Sequence, residues 1–185
     1  MIRAFLGIDL PLAVRGACQV QQFLLPLPRK VEPEGLHLTL VFLGTCPEPA
    51  LEAAHEGFEA LRETGFSLSL QGLGLFGKDR PHTAWAGLSP SAPLTRLQAK
   101  AETIARRVGC PIVARKFTPH VTLGRFPTPN PVDIGRLERA VAMGSGFRTD
   151  PWEVTELTLW RSHLTGKGPQ YEVLARYPLA RDPPT

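Results

Sequence analysis

No apolar run in this 185-residue chain approaches the ~20 residues that a membrane-spanning helix needs, so a transmembrane helix is excluded. The apolar start, Met1 to Ile8, is broken by Asp9 and reads as a buried first strand, not as a signal peptide; a cytoplasmic location is expected. Cysteine is scarce. Cys18, Cys46 and Cys110 are widely spaced with no C-x-x-C pair, which argues against a disulfide framework and for reduced, mostly buried thiols. Charge of one sign is not concentrated anywhere: 21 Lys and Arg against 17 Asp and Glu give a net +4, spread along the chain. A long duplex-binding surface is therefore not indicated, although the excess of Arg over Lys suits phosphate-bearing partners. Flexible linkers are lacking too, so residues 1–185 read as one domain. No apolar stripe is left over to force a dimer, and a monomer is expected.

What the chain does contain is one signature written twice: His37-Leu38-Thr39-Leu40 and His120-Val121-Thr122-Leu123. Side chains alternate across a strand, so His37 and Thr39 share one face and Leu38 and Leu40 the other; His120 and Thr122 repeat the arrangement. The two copies lie 83 positions apart, and the same offset brings further elements into step. Strand Arg3–Asp9 falls near His82–Leu88. The helix opening at Pro11, with Val14, Ala17, Cys18 and Leu25, falls near the one carrying Leu94, Leu97, Ala101, Ile104 and Val108. Helix positions Leu51, Ala54, Phe58 and Leu61 fall near Ile134, Leu137 and Val141. Strand-like sequence follows each, Phe66–Leu70 and Trp152–Trp160, and a last strand spans 170–178 before the Pro-rich Asp182-Pro183-Pro184. The pattern is β-α-β-α-β twice, with lobes around 1–78 and 80–160 and the signature strands meeting across a cleft on a pseudo-twofold axis.

Five histidines must be weighed. His-x-Thr also occurs at His163-Leu164-Thr165, but there it runs straight into the Gly166-Lys167-Gly168-Pro169 loop, so the tripeptide alone is weak. His37 and His120 stand instead in apolar strands bounded by turn residues. His55 reads as a solvated helix position among Glu52, Glu56 and Glu59, and His82 as the structural start of a strand. Arg125 follows Gly124 after the second signature. Strict alternation points it away from His120, unless a bulge at Gly124 redirects it toward a phosphate. Phe42, Phe126 and Trp85 offer rings on which a base could stack, against core packing.

Two imidazoles on opposite sides of one phosphorus can take a proton from the attacking oxygen and give one to the departing oxygen, and threonine hydroxyls can hold the non-bridging oxygens. The sequences Leu36-His37-Leu38-Thr39-Leu40-Val41-Phe42-Leu43-Gly44 and Phe117-Thr118-Pro119-His120-Val121-Thr122-Leu123-Gly124-Arg125 resemble the paired H-x-T-x motifs of the 2H phosphoesterase superfamily. Within it they resemble the bacterial and archaeal RNA 2′,3′-cyclic phosphodiesterases, or 2′-5′ RNA ligases. Phe5–Pro11, Ser162, Leu164, Gly168 and Tyr171 extend the likeness over the chain.

The resemblance implies a bilobal α+β fold with two facing antiparallel sheets, helices packed outside and a central cleft. It implies hydrolysis of RNA 2′,3′-cyclic phosphate ends to 2′-phosphates, with 2′-5′ joining of tRNA halves in reverse in some members. By position, His37 resembles the proton donor and His120 the proton acceptor, and Thr39 and Thr122 resemble the phosphate-binding hydroxyls. Beside the resemblance, Arg125 is a candidate phosphate-binding residue against a surface salt bridge, and Phe42 a candidate base-stacking ring against core packing. The partners implied are RNA ends bearing 2′,3′-cyclic phosphate or small cyclic nucleotides, with no cofactor and no metal. Alternatives are a relative acting on a cyclic nucleotide or nucleotide-sugar phosphate, a noncatalytic RNA-end binder, and a metal hydrolase. Neither signature strand supplies the third ligand that the metal reading needs.

Overall fold

The computed structural model describes residues 1–127 and 129–181; Asp182-Pro183-Pro184 lies outside them. The described elements run β1 (Ile2–Asp9), α1 (Leu12–Leu24), β2 (Arg29–Lys30), β3 (His37–Cys46), α2 (Glu48–Glu59), β4 (Phe66–Leu68), β5 (Leu70–Phe76), β6 (Thr83–Leu88), α3 (Ala92–Arg107), β7 (His120–Arg125), α4 (Pro131–Met143), β8 (Trp152–Val154), β9 (Glu156–Thr165) and β10 (Gly168–Pro178). Pro11 and Pro47, fixed in extended conformation, set the starts of α1 and α2. Side-chain caps do so for the later pair: Ser91 Oγ accepts from the Leu94 N–H, and Asn130 Oδ1 from the Asp133 N–H at 2.9 Å. Among the described residues no helix is long and apolar enough to cross a membrane.

The α+β architecture is as expected, but the strands of the two halves are not two separate sheets. They join in one eight-stranded antiparallel sheet, ordered β10-β9-β1-β3-β7-β6-β5 with β2 also on β7; β4 and β8 pair apart from it. The junction is a single residue pair, Leu38 with Val121. β2 takes up the same edge of β7 further along, through Arg29 with Arg125 and Lys30 with Gly124, so β3 and β7 part beyond that one contact. Outward from the junction the order is matched, β3-β1-β9 on one side and β7-β6-β5 on the other, with β10 the added edge.

One face of this sheet carries the core. Ala4, Leu6, Ile8, Leu38, Leu40, Val121 and Leu123 are buried there with Val14 and Cys18 of α1, Leu94, Leu97 and Ala101 of α3, and Leu137 of α4. Full burial of Leu38 and Val121 stabilises by about 1.5–3 kcal/mol each, which pins the junction. α1 contacts β7 and α3 contacts β3, so each half's helix packs on the other half's signature strand. Buried Gln22 reinforces the first contact, its amide donating to the Val31 and Leu123 carbonyls at 2.8 Å each. The three cysteines are free and buried.

Four local expectations change. The strand anticipated at Phe66–Leu70 divides, and its second part continues as β5 through Gly72 and Gly74. Glycines there weaken the strand signal, yet Gly74 is required because a Cβ would collide with the Trp85 indole. The Trp152–Trp160 segment divides at Thr155 and extends to Thr165, which puts His163 inside β9 and not in a loop. His55 is half-buried, with Nδ1 2.8 Å from the Tyr177 hydroxyl, so it is not a solvated position. Finally, α1 does leave apolar side chains exposed, with Leu12 at 87% and Phe23 at 81%.

Candidate active site

The face opposite the core carries the polar halves of both signatures. With Leu38 beside Val121 in an antiparallel pair, the same register carried one residue either way sets His37 abreast of Thr122 and Thr39 abreast of His120. All four side chains are half-buried, while their neighbours Leu38, Leu40, Val121 and Leu123 are buried. Each motif therefore lies across from the inverted copy of itself.

Both signature strands are bulged at the same place. Pairing of β1 with β3 jumps between Leu6–Val41 and Gly7–Thr39, leaving Leu40 as the extra residue. Pairing of β6 with β7 jumps between Ala84–Gly124 and Trp85–Thr122, leaving Leu123 extra. An extra residue restarts the alternation. Phe42 thus shares the face of His37, and Arg125 that of His120, where unbroken alternation would have turned both away. The bulge residue is Leu123; Gly124 serves a different need, since a Cβ there would lie 2.7 Å from the Arg29 carbonyl oxygen of β2.

His37 is held on every side. Its Nδ1 lies 2.7 Å from the Gly35 carbonyl oxygen, which can only accept, so Nδ1 carries the proton. In the neutral ring Nε2 then accepts from the Thr39 hydroxyl at 3.0 Å. Phe5 stacks on the imidazole at 4.6 Å, Tyr171 meets it edge-on at 5.1 Å and Trp160 closes the third side at 5.6 Å. Gly7 makes this packing possible, because a Cβ there would lie 3.1 Å from the Trp160 ring and collide with the Leu38 carbonyl. Asp9 is the register partner of His37. Arg15 of α1 bonds the Asp9 carboxylate, the Leu10 carbonyl and the Pro33 carbonyl. It thereby ties the strand end to the turn whose Gly35 holds the imidazole.

His120 is more open. Its Nδ1 donates to the Thr118 carbonyl at 2.7 Å, giving the same tautomer as His37. Phe76 meets it edge-on at 4.8 Å and Trp85 lies at 6.1 Å. Burial is the largest influence on both rings and disfavours the imidazolium. It brings His37 down to about 4, against the opposing pull of the Gly35 carbonyl and the Asp9 carboxylate; the charges of His120 and Arg15 add to the lowering. His120 is also lowered, by burial and then by Arg115 and Arg125, against the Thr118 carbonyl.

The structure therefore brings together His37, Thr39, His120 and Thr122, with Phe42 and Arg125 on the same face. One side of the Phe42 ring is covered by the Arg3 guanidinium, 4.7 Å from its centre. Phe126 is buried. His163 faces the other way: its register partner is Gln170, and Nε2 lies 2.8 Å from a Glu172 carboxylate oxygen. His82 is exposed at the start of β6, with Nδ1 2.9 Å from the Thr83 hydroxyl. Sequence reasoning missed Asp9, Arg15, Trp160 and Phe76 as surroundings of the site. Only the likeness around Phe5–Pro11 and Tyr171 pointed toward part of them.

A constellation with two imidazoles on one sheet face, His37 Nε2 beside the Thr39 hydroxyl and Thr122 on the same face as His120, is suited to proton transfer at a single phosphoryl group. Comparison with known proteins identifies the family. The family model of the 2′-5′ RNA ligase superfamily matches residues 11–166. The chain is 34% identical to the RNA 2′,3′-cyclic phosphodiesterase of Aeropyrum pernix, over 79% of this chain and 83% of that protein. It is 31% identical to that of Archaeoglobus fulgidus, over 94% and 98%. Among solved structures, E. coli LigT complexed with 3′-AMP superposes with a TM-score of 0.73 at 27% identity, covering 96% of this chain and 97% of that one. This chain, with its two mirrored His-x-Thr strands, belongs to the 2′-5′ RNA ligase superfamily.

Proposed function

We propose that this protein is a hydrolase, an RNA 2′,3′-cyclic phosphodiesterase that opens the cyclic phosphate at an RNA end to leave a 2′-phosphate. The observation that carries the reading is the antiparallel Leu38–Val121 pair, which sets a histidine and a threonine of each signature around one point. His120 Nε2 takes a proton from water as the water oxygen attacks phosphorus. The bond from phosphorus to O3′ breaks, and His37 Nε2 delivers a proton to O3′. Thr39, Thr122 and Arg125 bond the non-bridging oxygens, where charge develops.

The charges around the two rings support these roles. Burial disfavours the charged form of both rings; at His37 Asp9 opposes this while His120 and Arg15 add to it, and at His120 Arg115 and Arg125 add to it. Burial opposes protonation of His37 in the empty site, and the bound phosphate anion restores it. The donor thus gains its proton with the substrate. Substrates are RNA ends or small nucleotides bearing a 2′,3′-cyclic phosphate.

Incubation with an RNA ending in 2′,3′-cyclic phosphate, in the presence and absence of a strong chelator, tests the reading. A 2′-phosphate product formed equally in both supports it. A 3′-phosphate product, or activity abolished by the chelator, overturns it.

A further inference from the structure

The cleft face holds a cation that the chemistry above does not use. Arg3 alternates with Phe5, Gly7 and Asp9 along β1 and so stands on the histidine face. Its guanidinium lies over Phe42, with Cζ 4.7 Å from the ring centre, and its Nε is buried with no hydrogen-bond partner. Arg125 reaches the same face through the bulge at Leu123. The charges of both arginines bear on the Tyr171 hydroxyl, offsetting the burial that raises its pKa, and the Tyr171 ring in turn lies 5.1 Å from that of His37.

Arg3 and Arg125 thus share the sheet face that carries His37 and His120. Among the described residues no carboxylate forms an ion pair with either. A buried donor left without an acceptor costs about 1–3 kcal/mol. An anion that reaches the Arg3 guanidinium relieves that cost. A guanidinium over an aromatic ring can still donate its N–H groups to oxygen, which suits phosphate. Arg125 already serves the cyclic phosphate in the mechanism above; Arg3 has no such duty.

We propose that Arg3, laid on Phe42 beside Tyr171, binds a second phosphate: the 5′-phosphate of the nucleotide that carries the cyclic end. The inference rests on the cyclic-phosphodiesterase reading for the identity of that nucleotide. In an RNA chain this group is the last internucleotide phosphate. Arg3 therefore makes the site prefer a polynucleotide end, or a 5′-phosphorylated nucleotide, over a nucleoside 2′,3′-cyclic phosphate.

Calorimetric titration with adenosine 2′-phosphate and with adenosine 2′,5′-bisphosphate tests the subsite without turnover. The wild-type protein is expected to bind the bisphosphate about tenfold more tightly, the worth of one charge-assisted contact. In Arg3→Met that ratio falls to about one, and Arg3→Lys keeps part of it, because a point charge remains without the planar fork. Equal affinity of the wild type for the two ligands overturns the proposal, and this arm needs no variant to fold. A ratio unchanged in Arg3→Met overturns it as well. The two readings also fail separately. Arg3-dependent preference for the bisphosphate without cyclic phosphodiesterase activity upholds the subsite and removes the reaction. Hydrolysis indifferent to a 5′-phosphate does the reverse.

Discussion

The two signature strands carry the same four-residue pattern and the same bulge, yet they sit in unlike surroundings. His37 is enclosed by three aromatic rings, bonded at both nitrogens and placed beside an Asp9–Arg15 pair. His120 is touched by two rings, bonded at Nδ1, and faces Arg115 and Arg125 across a more open approach. Repetition of a motif supplies two chemically identical groups. Division of labour between them comes from what the rest of the chain packs around each, because neighbouring charge and burial move their proton affinities differently.

The strongest way to break this comparison is to remove each ring. His37→Ala and His120→Ala should each lower turnover of a 2′,3′-cyclic phosphate end by about 10²–10⁴-fold with circular dichroism unchanged, as loss of a general acid or base does. Retained activity in either variant would show that the two rings do not share one reaction. The threonines should separate next. Thr39 also donates to His37 Nε2, so Thr39→Ala should cost more in kcat than Thr122→Ala, within about 1–3 kcal/mol for each. Steady-state kinetics on the two variants side by side decides it.

A third test uses stability. His37 has a folded-state value of about 4 against about 6.5 unfolded, so the unfolded chain binds more protons between those limits. The contribution is fully present above the unfolded value and is lost as pH falls. Between pH 7 and pH 5 the wild type should lose about 2 kcal/mol from this group. Urea titrations should find that loss missing from His37→Gln. An equal loss in both proteins would mean that His37 is not held neutral by burial.

The smallest effect concerns Arg15, which acts on His37 through Asp9 and the Gly35 turn. Arg15→Met removes a positive charge and releases the Asp9 carboxylate, so the pH profile of kcat/KM should move up, and Asp9→Asn should move it down. A loss of rate with unmoved pH limits in both variants would reduce Arg15 to a structural tie. In the wild type, the profile for the free protein should centre below pH ~6.5, since both imidazoles are lowered, and the kcat profile should lie to its alkaline side.

Much of this arrangement is legible in the letters. Alternation in His37–Leu40 and His120–Leu123 separates core from polar face, and both patterns of burial agree with it. The four helices follow from apolar spacing, and Pro11 marks the start of the first, whereas the starts at Pro47, Ser91 and Asn130 emerge from the structure. Other features are illegible for definable reasons. β5 hides behind Gly72 and Gly74, which weaken the strand signal; at Gly74 the Trp85 indole occupies the space that a Cβ would fill. The side on which Phe42 and Arg125 emerge depends on bulges, and a bulge is a property of two paired strands rather than of either sequence. The joining of both halves in one sheet turns on a single pair, Leu38 with Val121, whose register no local pattern encodes.

By itself, then, the sequence determined which side chains are polar or apolar on each strand, which segments are helical, and that two equivalent His-x-Thr units exist. Those are properties of short segments, set by alternation and by the chemistry of individual residues. Only the tertiary structure decided that the units meet antiparallel, that Asp9 and Arg15 stand behind one histidine and Arg115 and Arg125 beside the other, and that Arg3 lies on Phe42. Such contacts join residues up to a hundred positions apart, and their proximity is fixed by strand register and packing, which exist only once the whole sheet has formed.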